Sequence, residues 1–346
     1  MARLLSFVVV LILIAPPLHA GIIYVDPGGG GDVLSIPEGV WNGGIDDTVL
    51  VAAGTYEVSP DTWPIALHGG SPTIMSESGA AATVIQGDGT TSPFRVAAHT
   101  GDSRIRIVGF TIRETPAPIL NQTAVTAEML FTDNVVEDNA TGVDVRQSVG
   151  LVARNVIHRN GEYGLSIYHF DGVIESNEIC GNGAGIRGVC CEEPAIRHNH
   201  IHHNAGYGIK TGFTGNITYN LIEHNGAEGI RCQCTGVMEH NVIRENAVGI
   251  HAESWAMCSL HENDICGNTS FNLRCSTGFT QFTEWDATMN WWGTTDPDEI
   301  ATGIRDCEDD PGILCRVLFD PWCETPGCGV TPVEPSSWGT IKSMFR

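Results

Sequence analysis

Apolar and asparagine positions recur at a fixed interval from residue 131 onward. Each repeat contains an aliphatic residue, two residues, Asn, one residue, Val or Ile, two residues and a second Asn. A Gly–apolar pair closes the first six repeats, and Asn272–Leu273 takes its place in the seventh. The first Asn recurs every 21 or 22 residues, at Asn134, Asn155, Asn177, Asn199, Asn220, Asn241 and Asn263. The second follows five residues later each time, at Asn139, Asn160, Asn182, Asn204, Asn225, Asn246 and Asn268. Such regular repetition indicates a solenoid of stacked coils.

Two aliphatic columns predict the core of this solenoid. One column lies between the two asparagines of each repeat, at Val136, Ile157, Ile179, Ile201, Ile222, Ile243 and Ile265. The other precedes the first Asn, at Phe131, Val152, Ile174, Ile196, Ile217, Met238 and Leu260. Stacked strands about 4.8 Å apart bring like residues above one another. Leucine-rich repeats share this length, but Ile and Val dominate here and helix formers are scarce, so we predict an all-β solenoid.

The repeated asparagines suit the turns between strands for two reasons. Asn tolerates left-handed backbone angles, and its side-chain amide can hydrogen bond to the coil above. We therefore expect Asn to occupy the left-handed turn positions and to form ladders along the solenoid.

The repeat resembles the right-handed parallel β-helix unit of the pectin-lyase-like superfamily, in its secreted bacterial form. Residues 24–28, 35–38 and 47–56 resemble the entry segment of such proteins, in which a small helix caps the barrel. Ser35 and Glu38 also form a capping box around Pro37, which favours a helix start. Residues 290–293 and 319–322 resemble the closing segment. The resemblance implies a single-stranded, right-handed parallel β-helix with an N-terminal capping helix and a disulfide-rich C-terminal cap.

We predict five segments along the chain. They are a signal peptide at 1–20, an N-terminal cap with irregular first coils at 21–128, regular repeats at 129–280, a C-terminal cap at 281–329, and a linker with a tail at 330–346. The tail has two interpretations, a sorting tag or a disordered end. The signal combines Arg3, an apolar run at 4–14 and Ala20. This run is too short to span a bilayer. We therefore expect a mature chain without membrane insertion, secreted to the periplasm, the cell surface or the medium.

Twelve cysteines lie between Cys180 and Cys328. An even count in an exported chain favours disulfides over metal sites. The shortest separations suggest the pairs Cys307–Cys315 and Cys323–Cys328, and the remaining connectivity stays open.

The charge balance excludes some partners. Against 18 Lys and Arg stand 41 Asp and Glu, a net charge of −23. Such a field repels nucleic acid and anionic membranes. We expect a monomer whose partner is a polysaccharide.

One outward column contrasts with this acidity. Two residues after each glycine the side chain should point away from the core, because its successor points inward. The column contains Asp144, Ser166, Arg187, Lys210, Arg231, His251 and Arg274. We name its last five members, Arg187 to Arg274, the basic column. Evenly spaced cations suit the carboxylates of a polyuronate, and the alternative is that they only offset a negative body.

The resemblance also implies a catalytic interpretation of the basic column. Lyases of this fold use Lys or Arg to remove the proton beside a uronate carboxylate. Lys210, with Arg231 beside it, would be the catalytic candidate if Arg187 and Arg231 lowered the pKa of Lys210. Such a lyase could use Ca²⁺ as cofactor, but the sequence contains no dense Asp cluster of the kind that would bind it.

A second outward column could hold a divalent metal ion. It contains His203, His224 and Glu245, with His202 and Glu223 beside it. Because histidines are common throughout the repeats, we favour the alternative that these are solvated turn residues without a metal.

The family signatures of pectin methylesterase, pectate lyase and polygalacturonase are absent from the sequence. The favoured function is therefore polysaccharide binding outside the cell or at its surface. A polysaccharide lyase or uronate epimerase is the first alternative. A structural or adhesive surface protein without a ligand is the second.

Overall fold

The computed structural model describes residues 20–96, 103–120, 127–189, 193–212, 214–233, 236–254 and 258–329. The predicted signal peptide, apart from Ala20, and the tail from residue 330 lie outside these ranges, as do Cys190, Cys191 and Cys234. Within the described ranges, no helix has the length and apolar character needed to cross a bilayer.

The chain winds into a parallel β-solenoid whose coils contribute strands to three faces. Face 1 is a ten-stranded sheet. Its strands are β3 (Gly54–Glu57), β6 (Thr83–Gln86), β9 (Thr111–Arg113), β12 (Val135–Glu137), β14 (Val156–His158), β16 (Glu178–Cys180), β19 (His200–His202), β22 (Leu221–Glu223), β25 (Val242–Arg244) and β28 (Asp264–Cys266).

Face 2 follows face 1 in each coil. Its early strands form a separate three-stranded sheet, β4 (Ile65–Leu67), β7 (Phe94–Val96) and β10 (Ile119–Leu120). Its later strands are the first parts of β13 (Val143–Ala153) and β15 (Tyr163–Glu175), then β17 (Ala184–Val189), β20 (Ile209–Thr211), β23 (Glu228–Cys232), β26 (Val248–Ala252), β29 (Phe271–Cys275) and β31 (Ile304–Arg305).

Face 3 completes each coil. Its strands are β1 (Ile22–Val25), β2 (Thr48–Val51), β5 (Thr73–Ser76), β8 (Ser103–Val108), β11 (Ala127–Thr132), the later parts of β13 and β15, β18 (Ala195–Arg197), β21 (Asn216–Thr218), β24 (Val237–Glu239) and β27 (Ser259–His261). Because β13 and β15 run through the corner between faces 2 and 3, these faces form one 17-stranded sheet.

The strand register stacks the predicted aliphatic column. Ile157, Ile179, Ile201, Ile222, Ile243 and Ile265 pair in succession along face 1. Every one of these side chains is fully buried. Burying each contributes about 1.5–3 kcal/mol to folding, so the predicted core is confirmed.

Two ladders of buried asparagines run along the two corners that flank face 1. At Asn199, Oδ1 accepts hydrogen bonds from the backbone N–H of Asn177 at 3.0 Å and from its Nδ2 at 2.9 Å. Asn199 Nδ2 in turn donates to Asn220 Oδ1 at 3.0 Å and to the carbonyl of Ile174 at 2.9 Å. The first ladder continues beyond the predicted repeats to Asn290, and Asn272 extends the second.

The backbone at the corners differs from the prediction. The left-handed residue is the one before each Asn rather than the Asn itself. Positive φ angles occur at Asp133, Arg154, Ser176, His198, Tyr219, His240, Glu262 and Met289 before the first ladder, and at Asp138, Arg159, Gly181, His203, His224, Glu245 and Gly267 before the second. Asn is required for its amide, which the ladder buries and hydrogen bonds.

The repeated glycine permits close contact between coils. A Cβ atom on Gly185 would lie 2.2 Å from the carbonyl oxygen of Gly208 in the next coil. Any larger residue would therefore push the two coils apart at the start of face 2.

Short helices lie at the two ends of the solenoid. α1 (Ile36–Asn42) begins after Ser35, whose Oγ accepts from the N–H of Glu38 while Glu38 accepts from the N–H of Leu34. This confirms the predicted capping box. At the other end stand α2 (Pro297–Thr302), the 3₁₀ helix η1 (Pro326–Gly329) and the strand pair β30 (Thr283–Asp286) and β32 (Cys315–Leu318).

One of the two predicted disulfides is present. Cys323 and Cys328 are bonded. Cys307 and Cys315 are not bonded to each other, and the Cys315 side chain instead hydrogen bonds with the buried Cys275 of β29.

Replacing a central ladder residue should destabilise the fold strongly. We expect Asn199→Ala to lower the free energy of unfolding by about 3 kcal/mol or more, because it leaves several buried groups without partners. Urea unfolding followed by circular dichroism measures this. Asn216→Ala, at an exposed position of β21, should change stability by less than about 0.5 kcal/mol. Equal losses in the two variants would contradict a structural role for the ladder.

Candidate functional site

The basic column lies on face 2, on five consecutive strands. Arg187 pairs in register with Lys210, Lys210 with Arg231, Arg231 with His251, and His251 with Arg274. Arg305 of β31 extends the column by one strand. The neighbours predicted to point inward are buried, among them Thr211, Cys232, Ala252 and Cys275. The predicted outward placement is therefore confirmed, although these side chains are half-buried rather than fully exposed.

Carboxylates on the same face pair with the C-terminal half of the basic column. Arg231 Nε lies 2.7 Å from Glu253 Oε1, and its Nη2 contacts the same oxygen. His251 Nδ1 lies 3.0 Å from Glu228 Oε1, and Arg274 Nη2 lies 3.5 Å from that oxygen. Much of the positive charge predicted for this column is thus compensated within the protein.

Glu228 is held ionised by these contacts. The hydrogen bond with His251 lowers the pKa of Glu228 to about 2, against the opposing effect of burial. The Glu228 side chain is only 13 % exposed. It acts as a structural counter-ion for His251 and Arg274 and leaves both less available to an external anion.

The N-terminal half of the basic column, Arg187 and Lys210, has tyrosine neighbours rather than carboxylate ion-pair partners among the described residues. Arg187 lies over the ring of Tyr163, with its Cζ 5.4 Å from the ring centre. The Tyr207 side chain hydrogen bonds with Tyr163, and burial raises the pKa of Tyr207 to about 12. Among the described residues, no carboxylate forms an ion pair with Arg187 or Lys210. Two cations on adjacent strands therefore stand beside two tyrosines.

The two coils before Arg187 have an acidic and a neutral side chain, rather than basic ones, in the same outward column. Ser166 and Asp144 take the corresponding positions. Burial raises the pKa of Asp144, and Arg146 Nε donates to its Oδ2 at 2.8 Å. The cationic surface therefore begins at Arg187.

The predicted metal candidates lie at the corner beside face 1. His224 Nε2 pairs with Glu245 Oε2 at 2.9 Å, and the rings of His203 and His224 lie 4.9 Å apart. His203 Nδ1, however, contacts His202 Nδ1 at 2.8 Å. The donor atoms of His203, His224 and Glu245 do not converge, whereas those of Glu178, Cys180 and His202 do.

Comparisons with known proteins agree with this architecture. Residues 141–283 match the family described as the right handed beta helix region. No protein of curated function matches the sequence. The fold is a right-handed parallel β-helix, as the repeat predicted.

Several solved structures superpose on the chain. The A-module of mannuronan C-5 epimerase AlgE4 from Azotobacter vinelandii does so with a TM-score of 0.48 and 17% identity, over 84% of this chain and 93% of that one. The catalytic domain of a GH87 α-1,3-glucanase in complex with nigerose gives 0.44 and 12%, over 88% and 69%. Pectate lyase Pel9A gives 0.41 and 10%, over 92% and 84%. At these identities the likeness concerns the fold alone.

The Glu228 contacts predict a loss of stability in acid. Because the folded-state pKa of about 2 lies below the ordinary value of 4.5, the contribution of Glu228 is complete above pH 4.5 and is lost as the pH falls from 4.5 towards 2. Between about pH 6 and about pH 3, the wild type should lose about 1–2 kcal/mol more than Glu228→Gln, after allowance for partial solvent screening. Urea unfolding at both pH values measures the difference. The exposed Glu284 provides the control variant Glu284→Gln, which should behave as wild type.

Proposed function

We propose that the protein is exported and that face 2 binds an acidic polysaccharide through Arg187 and Lys210. The observation that carries this proposal is the contrast in charge pairing along the chain. Most described arginines pair with a carboxylate of the protein; the described cations without such a partner are Arg95, Arg187 and Lys210. In a chain of net charge −23, two adjacent uncompensated cations on a flat sheet favour an anionic ligand.

The surroundings of the two cations suit a sugar chain. Adjacent coils are about 4.8 Å apart, close to the length of one pyranose unit, so Arg187 and Lys210 can each meet a carboxylate of successive uronate residues. Tyr163 and Tyr207 add rings that combine an apolar body with a polar hydroxyl, a combination suited to sugar rings. The basic column follows successive coils along the solenoid, and such an elongated surface fits a polymer better than a small molecule.

The C-terminal half of the basic column should contribute less to binding. Glu253 and Glu228 already pair with Arg231, His251 and Arg274, so an external carboxylate would have to compete with them. We therefore place the principal contacts at Arg187 and Lys210, and weaker ones at Arg231, His251 and Arg274.

Charge variants test the binding proposal directly. Arg187→Ser combined with Lys210→Ser should weaken binding to mannuronan by at least about tenfold, because two charge-assisted contacts are lost. Conversely, Glu253→Gln should strengthen binding by about two- to fivefold, because it frees Arg231. Calorimetric titration with mannuronan fragments, with a neutral α-1,3-glucan as reference ligand, measures both effects.

Matched control variants distinguish the loss of specific contacts on face 2 from a change in the net charge of the protein. Arg154→Ser combined with Arg197→Ser removes two exposed positive charges away from face 2, and Glu284→Gln removes an exposed negative charge. These controls should leave affinity unchanged. Equal weakening in both double variants would reduce the effect to net charge and contradict a site on face 2. A glycan array without signal would favour the structural or adhesive alternative.

The second candidate function is catalysis, as a polysaccharide lyase or uronate epimerase, by residues of the same surface on face 2. Tyr207, protonated over the neutral range because of its raised pKa of about 12, could act as an acid. Lys210, on the strand that follows it, could act as the base that a lyase or epimerase requires. Arg231, the other residue predicted for catalysis, is paired with Glu253 and could only assist by binding.

Catalysis is tested with the purified protein and a panel of polyuronates. If Lys210 is a lyase base, ultraviolet absorbance from the double bond formed by β-elimination should rise and disappear in Lys210→Ala. An epimerase would instead change the uronate composition by nuclear magnetic resonance without that absorbance. Both assays should be repeated with added Ca²⁺ and with a chelator. Binding without either change would leave the protein a polysaccharide-binding module.

A further inference from the structure

Three potential metal ligands converge on face 1, on the side of the solenoid away from the basic column. Glu178 and Cys180 stand at the two ends of β16, and His202 ends β19. Cys180 and His202 are register partners, while Ile179 and Ile201 between them point into the core. Strand alternation therefore directs all three side chains outward onto the same patch.

The donor atoms are close enough for a single ion. A carboxylate oxygen, the Cys180 sulfur and a His202 nitrogen all lie within 4.8 Å of one another. His202 Nε2 is 3.5 Å from Glu178 Oε1, and nitrogen and oxygen ligands on a tetrahedral zinc ion are about 3.3 Å apart. The Glu178 side chain is 7 % exposed and that of His202 15 % exposed.

The hydrogen bonding of His202 leaves one nitrogen directed at the cluster. His202 Nδ1 lies 2.8 Å from His203 Nδ1, so one of the two nitrogens carries the proton between them. His202 Nε2 is buried and has no hydrogen-bond partner among the described residues. If Nδ1–H donates to His203, the Nε2 lone pair faces the Glu178 carboxylate. Two electron-rich atoms in such an arrangement are stabilised by a cation between them. The Nδ1–H contact with His203 would orient the ring, as the other ring N–H of a metal-binding histidine usually does.

Neighbouring side chains hold the ligands in place. The His200 ring stacks on the His202 ring with centres 3.9 Å apart. His200 Nε2 contacts Glu223 Oε1 at 3.0 Å, and Arg244 holds the other oxygen of Glu223 at 2.8 Å. These contacts fix the position of His202 through the stacked ring of His200, which is itself the register partner of Glu178.

We propose that Glu178, Cys180 and His202 form a binding site for a divalent transition metal ion, with Zn²⁺ the best-fitting ion. Zinc accepts a thiolate, an imidazole and a carboxylate in tetrahedral geometry, whereas Ca²⁺ and Mg²⁺ require oxygen ligands. Three protein ligands leave the fourth position to water or to a ligand atom. This site lies on a different face from the proposed glycan surface and does not depend on it.

A second place on face 1 has similar spacing without the histidine. Asp264 and Cys266 of β28 correspond to Glu178 and Cys180. There the partner of Cys266 on the adjacent strand is Arg244, and Asp264 Oδ1 accepts from the N–H of Gly327 at 2.7 Å. A cation is disfavoured beside Arg244, so Cys266 provides a matched control for Cys180.

Cobalt titration tests the proposed metal site. The full mature protein without an affinity tag, stripped with a chelator, should bind one Co²⁺ with visible bands typical of tetrahedral coordination and an ultraviolet thiolate-to-cobalt band. Zn²⁺ should displace the cobalt. Cys180→Ser should abolish the thiolate band, and Glu178→Gln and His202→Gln should weaken binding by about tenfold or more. Cys266→Ser should retain both band and affinity.

Two results would overturn the site. The first is an absence of tetrahedral cobalt bands in the wild type. The second is a thiolate band that survives in Cys180→Ser or disappears in Cys266→Ser, which would place the metal elsewhere. Circular dichroism verifies the folding of each variant. Should Cys180→Ser fail to fold, the nearly isosteric Glu178→Gln decides the question through the measured cobalt affinity alone.

Discussion

The buried asparagine amides are the interaction on which the rest of the molecule depends. Where the chain turns a corner of the solenoid it leaves one sheet before joining the next, and its N–H and C=O groups lose their strand partners. A buried backbone group without a hydrogen bond destabilises the fold by about 1–3 kcal/mol. The Asn side chain carries a donor and an acceptor of the same kind as the peptide group, and it repeats the peptide pattern from coil to coil. Each rung therefore fixes the distance and register of its neighbours.

This register determines where every functional side chain stands. Because the two ladders hold successive coils in step, a residue such as Lys210 lies directly beside Arg187 and Arg231 despite separations of 23 and 21 residues. The same coils present the proposed glycan-binding residues Arg187 and Lys210 on face 2 and the cluster of Glu178, Cys180 and His202 on face 1. The proposed metal ligands and the proposed glycan-binding residues thus share one scaffold and lie on different faces of it.

The sequence therefore predicts columns well and side-chain partners poorly. The repeat specified the aliphatic core, both ladders and the outward basic column, because each follows from period and stacking, while the helix start at Ser35 followed from local capping residues alone. It could not specify that Glu228 and Glu253 compensate half of that column, since those contacts depend on the rotamers of long side chains. The convergence of Cys180 and His202 was also missed, although both occupy the same column of face 1. The signal in the sequence is a Glu-x-Cys segment followed one repeat later by His-x-His, whereas the candidates His203, His224 and Glu245 lie at the corner beside it. Left-handed backbone at the preceding residue was missed because propensity alone favours Asn for that conformation.

The constant five-residue interval between the two asparagines of each repeat confines variation in length to the rest of the coil. Face 1 and its corners accept no insertion, because an added residue would take one ladder out of step with the other. The spacing from the second Asn to the next first Asn varies instead, from 15 intervening residues between Asn139 and Asn155 to 21 between Asn268 and Asn290. Loop growth is thus directed to faces 2 and 3 and the corner that joins them. The architecture can acquire walls around the basic column, or lose them, while the hydrogen-bonded frame that supports the column keeps the same pitch.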